Sequence, residues 1–175
     1  AIARVIVIFE LSESFAQTIP LEYSTSNSSG TYNENFAMLL SDTSRYPSLG
    51  WNAYETVYQD AQSWLKEGVQ DALFPMMYFK DNHFYPFALD WKENDNGRWV
   101  VPGLGIYFLS PKEKDWPLDE MSRQLYFTRQ SGLAGHAFFR NKFLMDNVKG
   151  IFDEIQQEFY TTPALVPPMT WQDSI

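Results

Sequence analysis

Asp71-Ala-Leu-Phe-Pro-Met-Met-Tyr-Phe79 is a short, nearly unbroken apolar run between Gly68 and the polar Lys80-Asp-Asn-His83. Runs of this kind suit strands buried on both faces, as in parallel sheets. Working outward, Trp99-Val-Val-Pro-Gly-Leu-Gly-Ile-Tyr-Phe-Leu109 is a second apolar run, closed by Ser110-Pro111, and Leu133-Ala-Gly-His-Ala-Phe-Phe139 is a third. The strand starts near Leu73, Val101 and Leu133 are 28 and 32 residues apart. A (β/α)8 barrel spends ~250 residues on eight units, or about 31 each. The spacing therefore predicts an α/β fold built of TIM-type units. A doubly wound sheet has the same period, and no Gly-rich phosphate loop decides between the two. The 175 residues are too few for eight units. Three clear units and a fourth from Phe36 to Leu65 make a partial (β/α)8 barrel, about its last four βα units.

Helical spacing fills the gaps between the runs. Trp51, Tyr54, Val57, Tyr58, Ala61 and Leu65 follow the i, i+3, i+4, i+7 rule, with Gly68 as the stop. Pro117, Asp119 and Glu120 open a helix with Leu118, Met121 and Leu125 as its apolar positions, and Gly132 ends it. Acids in its first turn, with Arg123 and Arg129 later, agree with the helix dipole. A last helix is expected over residues 146–160. Residues 1–47 read as an irregular segment without a firm assignment. They hold the β-branched run Val5 to Phe9, the loop-like cluster Ser24 to Gly30, the run Phe36 to Leu40 and the acceptor triplet Asn27-Ser28-Ser29. Residues 48–160 form the barrel half. Residues 161–175 carry three prolines, which forbid a helix, and read as a linker towards a further module.

Composition narrows the function. Lys and Arg number 13 against 22 Asp and Glu, a net charge of −9. Phosphate binding needs a basic surface, so nucleic acid is not an expected partner. No apolar run approaches the ~18–20 residues that span a bilayer, so no membrane insertion is expected. The first residues do not form a secretory signal. Cysteine is absent, which excludes disulfides, thiol catalysis and Cys-ligated zinc. Two histidines 53 residues apart and no Asp-rich calcium loop leave no competent metal ligand set, and no cofactor is expected. Six Trp, ten Tyr and fourteen Phe suit neutral polyhydroxylated ligands, whose C–H faces stack on rings.

Gly50-Trp-Asn-Ala-Tyr54, Tyr58-Gln-Asp-Ala61, Phe74-Pro-Met-Met-Tyr-Phe79, His83-Phe-Tyr-Pro-Phe-Ala88 and Val101-Pro-Gly-Leu-Gly-Ile-Tyr-Phe108 resemble the C-terminal half of the glycosyl-hydrolase-like family ten. So do Gly135-His-Ala-Phe-Phe-Arg140 and Asp146-Asn-Val-Lys-Gly150. The resemblance implies a bacterial TIM barrel, exported to the periplasm or cell surface or lipid-anchored, with a carbohydrate partner. The tail from Pro163 to Trp171 is similar to the segment that joins such barrels to a following β-sandwich. Residues 1–47 do not match. The acidic motif that such proteins carry at the end of the fourth strand has no counterpart here.

In barrels the working residues sit at the C-terminal ends of strands. Those positions are Ser41 and Asp42, Tyr78 to Tyr85, Tyr107, and His136 to Asn141. Glycoside hydrolysis needs two carboxyl groups across the scissile bond. Asp81 is the candidate acid or base, and His83 the candidate proton carrier or hydroxyl ligand. Tyr78, Tyr85, Trp91 and Tyr107 are candidate sugar-contacting rings. Trp91 opens a hairpin-like stretch that ends at Trp99. Arg140 and Asn141 are candidate hydroxyl or carboxylate ligands, and His136 is as well read as a core histidine. Against these stand plainer roles: Asp81 capping a helix, Arg140 closing the barrel in a salt bridge, and most rings packing the core.

Three functions follow. The first is a glycoside hydrolase acting on an oligo- or polysaccharide, of which this chain forms one wall. The second is a carbohydrate-binding protein without turnover, and the third an interaction fragment that completes a barrel with another chain. Half a barrel exposes strand edges, which predicts a homodimer, a partner chain, or an N-terminal stretch that covers the open face.

Overall fold

A computed structural model of the chain describes residues 5–8 and 53–172. The Ser24 to Gly30 cluster, the Phe36 to Leu40 run, and Ser41 and Asp42 lie outside the described residues.

Strand β1, Val5–Ile8, is the β-branched run near the start. A regular element thus falls within a stretch expected to be irregular. It pairs in parallel with β2, Ala72–Pro75, in the register Val5↔Ala72 to Ile8↔Pro75. The second apolar run is split by Pro102 into β3, Trp99–Val100, and β4, Gly103–Leu104. β3 pairs in parallel with β2, and β4 with β5, Ala137–Phe138. A parallel bridge between Met76 and Gly103 joins β2 to β4. All these pairings are parallel, and neighbours follow chain order. Leu73, Val100 and Leu104 are buried, as the continuous apolar runs require.

Helices occupy the expected gaps with three differences. The helix read from Trp51 to Leu65 is two short ones, α1, Ala53–Val57, and α2, Ala61–Lys66. They separate where Tyr58 takes φ 58°, and Asp60 starts α2 by accepting from the Ser63 amide at 3.2 Å. Gly68, at φ 70°, follows α2 as expected. Helix α3, Tyr85–Glu93, lies where a loop and a hairpin-like stretch were expected. Its Phe84, Ala88 and Trp91 stand at i, i+4 and i+7 and are all buried, a helical stripe in a segment dominated by its polar flanks.

Helix α4, Leu118–Gln130, has its expected apolar face, with Met121 and Leu125 at 0% exposure. The helix read over residues 146–160 is broken instead. Asn147, Lys149 and Gly150 all have positive φ. They separate α5, Asn141–Met145, from α6, Ile151–Glu154, which runs into a wide turn over Ile155–Phe159. Ile151, Ile155 and Phe159 still face the core, as read.

The tail does not simply lead away. Residues 161–168 are exposed, but Trp171 returns to the start of β2. Its indole N–H donates to Asp71 at 2.7 Å, its ring meets Trp99 edge-on, and Arg98 lies 4.8 Å from its centroid. No helix among the described residues is long and apolar enough to cross a membrane.

Candidate functional site

The C-terminal ends of β2, β4 and β5 bring three rings together. Tyr78 follows β2, Tyr107 follows β4 and Phe139 follows β5. Tyr78 stacks on Phe139 with centroids 5.3 Å apart and planes at 22°. Tyr107 stands edge-on to both, at 5.8 Å from Tyr78 and 5.6 Å from Phe139. Edge and offset contacts of this kind favour the pair beyond simple burial.

The glycines of the second apolar run make the approach possible. A Cβ on Gly103 would lie 3.1 Å from the Tyr78 ring and 3.2 Å from the Pro75 carbonyl oxygen. One on Gly105 would meet the Tyr78 Cβ at 3.1 Å. Backbone bonds set the height of the wall: Phe139 N–H donates to Leu104 O at 2.9 Å and Tyr107 N–H to Phe139 O at 3.2 Å. Burial raises the pKa of both tyrosines, and for Tyr107 the charges of Tyr78 and Glu113 add to it. Both phenols therefore stay protonated donors through the neutral range.

Asp81 and His83 occupy a 3-10 turn, Asp81–His83, just beyond Tyr78. Asp81 has φ 53°, is exposed, and lies 3.5 Å from the Lys80 ammonium. Its side chain caps no helix. His83 is half-buried. Arg140 and Asn141 follow Phe139 and are exposed. The Arg140 guanidinium lies 5.6 Å from the centre of the Phe143 ring. It forms no salt bridge among the described residues.

Two of the expected sugar-contacting rings lie elsewhere. Trp91 is 7% exposed and part of the core under α3. Tyr85 is buried between α3 and α4, edge-on to Phe84 and Phe127. Its hydroxyl donates to Glu120 at 3.4 Å. Both belong to the helical stripe of α3, which points them inward.

Sequence reasoning assigned Glu120 to the helix dipole, yet it is only 1% exposed. It accepts from Gln124 at 2.8 Å and from Arg123 at 2.6 Å. The same Gln124 amide donates to Phe79 O at 2.9 Å. This chain of bonds ties α4 to the segment that carries Tyr78 and Asp81. Burial raises the Glu120 pKa. The Gln124 bond and Arg123 pull it back, while the Asp81 charge adds to the rise. The spacing of Glu120 and Gln124, one turn apart on the helix, was the available sign of this pair. Phe139, the other residue missed, carried only its place at the end of an apolar run. Among the described residues no group of three or more His, Asp or Glu could hold a metal ion.

No family model matches the chain. The chain is 31% identical over 134 residues to a protein named Glycosyl hydrolase YngK from Bacillus subtilis (strain 168). The relationship is to a glycosyl hydrolase. The matched region covers 71% of this chain and 26% of that relative. The chain therefore spans about a quarter of the length of the relative it matches.

Proposed function

We propose that this chain forms one wall of the carbohydrate site of a glycoside hydrolase built on a (β/α)8 barrel, acting on the O-glycosyl bonds of an oligo- or polysaccharide. The observation that carries the reading is the cluster of Tyr78, Tyr107 and Phe139 at the C-terminal ends of parallel strands, where barrel enzymes place their sites. Parallel strands in chain order support the barrel, and the similarity to a protein named glycosyl hydrolase supports the chemistry.

On this reading the rings pack against the C–H faces of a sugar, and the tyrosine hydroxyls and Arg140 bind its oxygens. Asp81 is the acid or base beside them, with His83 as its neighbour in proton transfer. Glycoside hydrolysis takes a second carboxyl group. On this reading the second comes from elsewhere in the complete protein or from another chain. The family resemblance adds export to the periplasm or cell surface.

The need for a second acid also keeps a binding protein without turnover in play. The complete protein, assayed against aryl glycosides and polysaccharides, separates the two. Hydrolysis abolished by Asp81→Asn, with the fold intact by circular dichroism, supports the enzyme. Glycan binding with no turnover supports the module, and hydrolysis untouched by Asp81→Asn removes Asp81 from the chemistry.

A further inference from the structure

A cavity of about 370 Å3 lies at the N-terminal end of β5, the end opposite to Phe139. Its walls are Thr128 and Arg129 at the end of α4, the turn Leu133 to His136, and Phe159 with Tyr160, and the tail residues Thr162 to Ala164 form its rim. The volume is at the small end for a ligand site.

Two groups in it are incompletely used. The Arg129 guanidinium lies 5.3 Å from the centre of the Phe159 ring and 4.8 Å from that of Tyr160. Its Nη2 donates to the Phe159 carbonyl oxygen. These contacts fix its plane and occupy one of its five N–H donors. It has no carboxylate partner among the described residues, in a chain whose net charge is −9. His136 places Nε2 2.7 Å from the Tyr160 hydroxyl, while its Nδ1 is buried with no hydrogen-bond partner.

We propose that this cavity binds a small carboxylate. Its two oxygens accept from the remaining N–H groups of Arg129, beside the pair that His136 Nε2 makes with the Tyr160 hydroxyl. A single anionic charge matches the single cation, and a planar carboxylate matches the planar fork of a guanidinium. Phosphate, tetrahedral and carrying more charge, is matched less well. Burial and the Arg129 charge both disfavour protonated His136, so the imidazole that lines the cavity stays neutral beside the ligand.

The test is an NMR titration of the full chain at pH 7.5, following the two histidine rings, assigned with His83→Gln. Sodium acetate is compared with sodium phosphate and with sodium chloride at equal ionic strength. The expected result is a saturable shift of the His136 resonances with acetate, absent with chloride and weaker with phosphate. Arg129→Gln should weaken acetate binding about tenfold or more, and Arg129→Lys by less, because the charge remains without the fork. A His136 ring that responds alike to acetate and chloride overturns the proposal, and phosphate binding tighter than acetate overturns the choice of carboxylate. The wild-type titration decides even where an Arg129 variant fails to fold.

Discussion

Tyr78 and Phe139 stack at 5.3 Å across the ends of β2 and β5, two strands far apart in the chain that are linked among the described residues through β4. Phe139 is 45% exposed, so truncating it disturbs the wall more than the core. Phe139→Ala should lower stability by about 1 kcal/mol and weaken oligosaccharide binding to the complete protein about tenfold or more. Calorimetric binding and urea denaturation of the same samples check both numbers. Unchanged binding would remove Phe139 from the site.

The pair Glu120 and Gln124 predicts a pH effect on stability. The Glu120 pKa is raised on folding, so the folded state favours its protonated form. Its contribution is complete below the ordinary carboxylate range and fades as pH rises through the raised value. Glu120→Gln keeps the shape and removes the titration. Urea midpoints measured from pH 4 to 8 should fall less steeply with rising pH in the variant than in the wild type.

His136 acts in the opposite direction. Its pKa is lowered to about 4, first by burial and then by Arg129, so the unfolded chain binds a proton more readily. The stability it confers is complete above the ordinary value near 6.5 and is lost as pH falls from there towards 4. The shift is worth up to about 3 kcal/mol. His136→Asn should flatten that limb of the profile, measured in chloride buffer so that no carboxylate is present.

Trp171 holds the returning tail through Asp71, Trp99 and Arg98. Trp171→Ala should cost about 1–2 kcal/mol. It should also speed proteolytic cleavage within residues 161–168, since their downstream anchor is gone. A digestion rate equal to that of the wild type would show that the tail is held by other contacts.

The apolar runs at Leu73 and from Trp99 to Leu104 were legible as buried parallel strands, because a strand covered on both faces needs no polar alternation, whereas the run from Leu133 gives only the short, half-buried Ala137–Phe138. The faces of α4 and of the last helical segment were legible too, through Met121, Leu125, Ile151, Ile155 and Phe159, since helical periodicity survives local breaks. Tyr78 and Tyr107, near the ends of those runs, and Asp81, just past one, could be placed at strand ends from their position. What needed the tertiary structure were the partners across the chain. Tyr78 meets Phe139 because parallel pairing aligns strand ends that lie 61 residues apart in the sequence. Glu120 reads as an exposed helix-start acid until Tyr85, Arg123 and Gln124 are seen to enclose it. Trp91 and Tyr85 read as loop rings until the helix they share turns them inward, and Trp171 reads as linker until Asp71 and Trp99 hold it. Local pattern is set by near neighbours along the chain; burial is set by whatever the fold brings alongside.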